Sequence, residues 1–151
     1  PSKWMGPTGW VRMPFGVDQL AYVDRAAPAE QTILLVEGPA DALTVRSVWP
    51  FAVVWGMPGV AWSDLWTEAL VASGVPRVLI AFDADKAGRD GAQQARTALT
   101  SEGLHVSDVP LMAGGDLNDW SRASGDTFPD DFAAAMVSAG GNPDVLLGPR
   151  R

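Results

Sequence analysis

Cysteine is absent from the 151-residue chain, which excludes disulfides, a thiol nucleophile and any cysteine zinc site. Histidine occurs once, as His105, too few for a histidine-ligated metal centre. The only lysines are Lys3 and Lys86, and the formal charge is −7. Affinity for nucleic acid rests mainly on neutralising phosphates, so an acidic chain is a poor general-purpose DNA binder. If this chain handles nucleic acid, it needs a local basic patch, bound metal or neighbouring domains. No apolar run approaches the roughly 20 residues that span a bilayer, and no signal peptide is visible; the expectation is a cytoplasmic protein without a membrane partner. There is no Walker A loop and no dinucleotide fingerprint, and Gly56-x-x-Gly59 reads as a turn. Serine and threonine lack the setting of a nucleophile elbow. The chain begins at Pro1 rather than methionine, which reads as a fragment of a longer protein.

What is present is enough for one core, with 47% hydrophobic residues. Residues 1–30 hold short extended pieces punctuated by Gly and Pro, and form a β-rich N-terminal segment. Lys3, Arg12 and Arg25 surround Trp4 and Trp10 there, as a solvated face over a small core or as a nucleic-acid-facing surface. From residue 31 to 139 strands and helices alternate. Strands are expected at 32–36, 51–55, 77–82 and 105–109, and helices at 39–49, 62–73, 88–102 and 128–139. Trp62, Leu65, Trp66, Ala69 and Leu70 share a helical stripe, which reads as core, with base stacking as the competing role. Residues 140–151 read as a mobile tail. Alternating elements imply a parallel sheet of four strands flanked by helices, an α/β fold of Rossmann type with right-handed crossovers. Ligands of such sheets bind outside the carboxyl ends of the strands.

Acidic residues cluster at that rim. The apolar run Val78–Phe82 stops at Asp83-Ala84-Asp85, and on a strand residues i and i+2 point the same way. Two carboxylates about 5 Å apart repel by roughly 3 kcal/mol at an effective dielectric near 20. Such a pair calls for a cation between them or a protonated member; the alternative is that one aspartate caps the next helix while the other is solvated. Glu37 follows the strand at 32–36, where a plain turn prefers Ser, Thr, Asn or Asp. Asp41 falls in the first turn of the following helix, where the dipole favours an anion. Asp116 and Asp119 follow the fourth strand, with helix capping as their alternative use. Oxygen ligands without histidine or cysteine suit Mg²⁺ or Mn²⁺ acting on phosphate.

Glu37 in Val36-Glu37-Gly38-x-x-Asp41, followed by Phe82-Asp83-Ala84-Asp85-x-Ala87-Gly88-Arg89, resembles the TOPRIM domain. That domain is shared by DnaG-type primases, type IA and II topoisomerases, OLD-family nucleases and RecR proteins. The Ala-Gly-Arg tail and the later Asp116-x-Asn118-Asp119 are most similar to bacterial and phage primases, including primase–helicases. The resemblance covers roughly residues 30–123. It implies a Rossmann-type TOPRIM fold in which Glu37, Asp83 and Asp85 are catalytic and hold two Mg²⁺ or Mn²⁺ ions, with Asp116 assisting the second. Asp41, Asn118 and Asp119 would be supporting residues, and Lys86 and Arg89 would meet phosphate. Gly115 stands where many relatives carry lysine before the third acidic motif. The implied function is the catalytic core of a phage- or plasmid-type DNA primase, joining ribonucleoside triphosphates on a single-stranded DNA template beside a replicative helicase or a fused helicase domain. The alternatives are an OLD-like nuclease and a non-catalytic module that binds DNA or a partner. Tyr22, the only tyrosine, argues against a topoisomerase.

Overall fold

The computed structural model describes Pro14, Phe15 and residues 32–58, 61–111 and 115–151. The readings for the rest of residues 1–31, including Lys3, Trp4, Trp10, Arg12 and Arg25, lie outside the described residues, as do those for Gly59 and Met112–Gly114.

Four strands, β1 (Thr32–Glu37), β2 (Val54–Met57), β3 (Arg77–Ala81) and β4 (His105–Asp108), pair in parallel in the order β2-β1-β3-β4. The helices are α1 (Pro39–Val48), α2 (Asp64–Ser73), α3 (Lys86–Ser101), α4 (Leu117–Ser124), α5 (Phe128–Ser138) and α6 (Pro143–Leu146). Period-2 alternation splits the strand side chains between two cores. Leu34, Val36, Leu79 and Ala81 meet residues of α1, α4, α5 and α6 on one face. Ile33, Leu35, Val78 and Ile80 meet residues of α2 and α3 on the other. The chain leaves β1 for β2 with α1 on the first face, then crosses back to β3 and on to β4 with α2 and α3 on the second. Reversing both the direction and the face keeps the three crossovers the same hand. The reversal lies between β1 and β3, and the crevice outside their carboxyl ends is where such sheets take ligands.

The expected alternation of elements is present, with shifted boundaries. β2 begins at Val54, because Phe51 stays 75% exposed in the turn before it. α2 begins at Asp64, capped by the Ser63 hydroxyl, so Trp62 precedes the helix. Leu65 is 46% exposed and leaves the expected inward stripe, whereas Trp66 and Leu70 are buried. His105 stands exposed at the start of the edge strand β4. The expected mobile tail is corrected. α6 lies within it, Leu146 and Leu147 are buried in the first core, and the Leu146 carbonyl accepts a hydrogen bond from Val53 N–H at 3.1 Å. Arg150 sits 5.7 Å over the Trp49 ring and pairs with Asp130 at 2.8 Å. Phe15 forms an antiparallel bridge with Gly56 on the outer edge of β2.

Candidate active site

The register pairs Val36 with Ala81, so Glu37 and Phe82 leave the sheet side by side at the reversal. One residue later the Asp83 N–H donates to Glu37 Oε2 at 2.9 Å. Asp83 Oδ1 is buried and has no hydrogen-bond partner. Burial, followed by the charges of Glu37, Asp116 and Asp85 and a hydrogen bond with Glu37, pushes the Asp83 carboxyl from its ordinary 3.8 up to about 7.

Asp85 takes a different place from the one strand geometry implied. β3 ends at Ala81, so Asp83 and Asp85 lie beyond the pleat and the i, i+2 rule stops before them. Asp85 is exposed and caps α3, its Oδ1 accepting from Gly88 N–H at 2.7 Å. Its charge still acts on Asp83. Gly88 is held by sterics: a Cβ there would lie 2.0 Å from the Asp83 carbonyl oxygen and 3.0 Å from its nitrogen. The first turn of α3 therefore packs against the Asp83 backbone as only glycine allows.

The other acidic residues arrive from α1 and α4. Ala84 N–H donates to the Gly115 carbonyl at 3.1 Å, tying the segment after β4 to the turn after β3. Asp116 then caps α4, its Oδ1 accepting from Asp119 N–H at 2.7 Å. Asp41 holds the expected first-turn position in α1 but is only 3% exposed. Burial and the charges of Asp83, Asp116 and Glu37 raise its carboxyl from 3.8 to about 7, against a hydrogen bond from the Asn118 backbone. Its main role is thus not that of a solvated anion at a helix end. The Asn118 side-chain oxygen accepts from the Thr44 hydroxyl, which ties α1 to α4. Thr44 was not singled out by sequence, and its signal was its position three residues after Asp41, on the same helical face. Asp119 is exposed and pairs with Arg122 at 2.6 Å.

At the crevice Asp83 thus feels the charges of Glu37, Asp116 and Asp85, and Asp41 feels those of Asp83, Asp116 and Glu37, whereas Asp119 pairs with Arg122. Among the described residues no three of these side chains are gathered tightly enough to ligate one ion as they stand. Their oxygens rest instead on backbone N–H groups of Asp83, Gly88 and Asp119. The donor set nevertheless fits a hard divalent cation. It is all oxygen, one carboxylate oxygen is buried and unpartnered, and two carboxyls are raised by burial and by the negative charges around them.

A family profile described as the Toprim domain matches residues 32–127, more than half of the chain. The chain belongs to the Toprim family. Among solved structures, this Toprim chain is similar to a DNA primase domain from Pseudomonas aeruginosa, with 25% identity and a TM-score of 0.67 over 85% of this chain and 38% of that one. The zinc-binding and RNA polymerase domains of the Aquifex aeolicus primase match at 26% identity and a TM-score of 0.65, over 81% of this chain and 28% of that one. A DnaG primase catalytic domain bound to ssDNA matches at 27% identity and a TM-score of 0.57, over 74% and 36%. The Toprim chain thus spans about a third of the length of these structures. No curated protein matches it significantly.

The basic candidates of the Toprim site part company. Lys86 is highly exposed and pairs with Asp90 one turn on, at 2.7 Å. Arg89 is exposed, lines a cavity with Asp83 and forms no ion pair among the described residues. Of the two, Arg89 is the cation left free to meet an anion. Among the described residues no helix is long and apolar enough to cross a membrane.

Proposed function

We propose that this Toprim chain is the metal-binding catalytic core of a DNA primase, which joins ribonucleoside triphosphates on a single-stranded DNA template. The observation that carries the reading is the Glu37–Asp83 pair at the sheet reversal, with a buried unpartnered oxygen on Asp83. The likeness to primase domains over most of the chain supports it. Glu37, Asp83, Asp85 and Asp116 would hold Mg²⁺ or Mn²⁺, two ions in all, with Asp116 serving the second. A divalent cation there supplies the charge that polarises a phosphoryl oxygen and lowers the pKa of an attacking hydroxyl.

The chain's own residues do the rest. The Asp83 N–H fixes one Glu37 oxygen and leaves the other for ligation. Asp85 and Asp116 are anchored as helix caps, each through one oxygen, and keep a second. Asp41, held by the Asn118 N–H, contributes negative potential from beneath without facing solvent. Arg89 meets substrate phosphate from the first turn of α3. A template strand, a helicase partner and a cytoplasmic setting complete the reading, and the template is to be delivered by segments beyond the Toprim fold, since the chain's charge of −7 offers no continuous phosphate track.

The test uses the full-length parent protein, assayed for ribonucleotide incorporation on single-stranded DNA. Asp83→Ala and Glu37→Gln should each abolish incorporation while circular dichroism and melting temperature stay close to wild type. A parent that degrades the DNA and makes no primers replaces this reading with a Toprim nuclease. Full incorporation by both variants overturns the site.

A further inference from the structure

Beside Glu37, on the α2–α3 side of the sheet, lies a cavity of about 260 Å³ that the carboxylate chemistry does not use. Its walls include Met57, Trp62, Trp66, Phe82, Gly91 and Gln94. Whole drug-sized ligands fill about 300–1,000 Å³, so this space suits a single ring system. Trp62 stays partly exposed and is held in place: its indole N–H donates to Thr67 Oγ1 at 2.8 Å, its backbone N–H donates to Gln94 Oε1 at 3.3 Å, and its ring meets Trp66 edge-on at 5.4 Å. Among the described residues the lining contains the carboxylates of Glu37 and Asp90 and no lysine or arginine, so away from Glu37 the cavity itself disfavours a phosphate.

Gly91 is the second observation. It lies inside α3, where glycine is the poorest residue after proline. It has no positive φ, and among the described residues an added Cβ would meet only the Phe82 ring, at 3.6 and 3.7 Å, which is ordinary contact. Unlike Gly88, it is required by no packing contact among the described residues. What its missing side chain does is leave the cavity open.

We propose that this cavity receives the base of a mononucleotide whose phosphates lie at the carboxylate cluster. The inference rests on the nucleotidyl-transfer reading above. Aromatic walls stack on any base, and the amide NH₂ of Gln94, whose oxygen accepts from the Trp62 N–H, offers a donor to a base edge. The cavity adjoins Glu37, so a ring seated there continues directly into the phosphate site.

Calorimetry on the 151-residue chain in MgCl₂ tests it with three probes: ATP, inorganic tripolyphosphate and a short oligodeoxynucleotide. Trp62→Ala and Gly91→Leu should weaken ATP binding by about ten-fold, the scale of losing one base stack, and leave tripolyphosphate binding unchanged. Gly91→Ala is the control against misfolding. It should melt at or above the wild-type temperature and still weaken ATP binding several-fold. Unchanged ATP affinity in Gly91→Ala and Trp62→Ala overturns the proposal while tripolyphosphate binding by the wild type leaves the catalytic reading standing. Weakened binding of the oligonucleotide alone assigns the cavity to a template base and also overturns it. A wild type that binds neither ATP nor tripolyphosphate removes the catalytic reading, and this inference with it.

Discussion

Two cavities flank the first turns of α3, and they share one wall, Phe82. The first, about 260 Å³, is lined by aromatic side chains with Glu37 and Asp90 and, among the described residues, has no cation. The second, about 410 Å³, contains Arg89 and Arg96 together with Asp83 and Asp108. Arg96 is already paired with Asp108, so among the described residues Arg89 is the cation left to face an anion there. A nucleotide has the same two halves, an uncharged planar ring and a strongly anionic tail. The difference teaches that charge, rather than size, assigns the cavities. Within the first cavity a phosphate would be repelled by Asp90, which is not one of the proposed cation ligands, and in the second it gains from Arg89, while a base gains from desolvation against tryptophan and phenylalanine. The glycines of α3 follow the same division. Gly88, on the second cavity, is fixed by close backbone approach, and Gly91, on the first, keeps a space open.

The largest effect should come from breaking that division at Gly88. A methyl group 2.0 Å from the Asp83 carbonyl oxygen meets backbone rather than side chain and cannot be absorbed by a rotamer. Gly88→Ala should therefore cost about 3 kcal/mol or more in thermal or urea unfolding, and should displace Asp83. Gly91→Ala, one turn later, should instead gain about 0.5–1 kcal/mol from helix propensity. Equal losses at the two positions would mean that both glycines are packing requirements, and the open cavity would lose its argument.

A smaller effect sharpens the comparison from the anion side. Arg89→Ala should weaken tripolyphosphate binding by roughly ten-fold, as for one charge-assisted hydrogen bond, and Arg96→Ala by much less because that guanidinium is already committed to Asp108. A reversed order would place the phosphate deeper along α3 than proposed.

The smallest expected effect is on the pH profile. Asp41 and Asp83 are raised from 3.8 to about 7. Between about pH 4 and 7 the folded chain holds protons that the unfolded chain has released, so these two groups make stability fall as pH rises through that window. Their penalty is absent below pH 4 and complete above pH 7. Without divalent ions, the melting temperature should drop by a few degrees between pH 5 and 8. Asp41→Asn, which keeps an acceptor for the Asn118 N–H, should flatten that slope. An unchanged slope would show that neither burial nor the rim charges raise the Asp41 carboxyl.

Much of this architecture was legible in the sequence, because β-branched runs ending in acidic residues mark buried parallel strands and their carboxyl ends directly. Glu37 and Asp83 became candidates in that way. The facing geometry expected of Asp83 and Asp85 fails because the period-2 argument holds only inside a strand and β3 stops at Ala81, and the capping alternative describes how Asp85 is held. The C-terminal segment was misread because Leu146 and Leu147 are a short apolar pair among glycine, proline and asparagine, and what orders them is a distant strand edge at Val53. The burial of Asp41 was hidden for the same reason, since its helical position is local but its neighbours Asp83 and Asp116 are not. Gly91 is a single letter in a helix, and its meaning appears only once Trp62 and Phe82 stand opposite it.

The central claim is that the rim of Glu37, Asp83, Asp85 and Asp116 is a divalent-cation site. Calorimetric titration of Mn²⁺ into the wild type and into the Asp83→Asn, Asp85→Asn double variant tests it most directly. The account predicts saturable binding by the wild type, loss of that binding in the variant, and a metal-free variant at least as stable as the wild type because a buried, mutually repelling carboxyl has become an amide. Equal Mn²⁺ binding by the two proteins would contradict it.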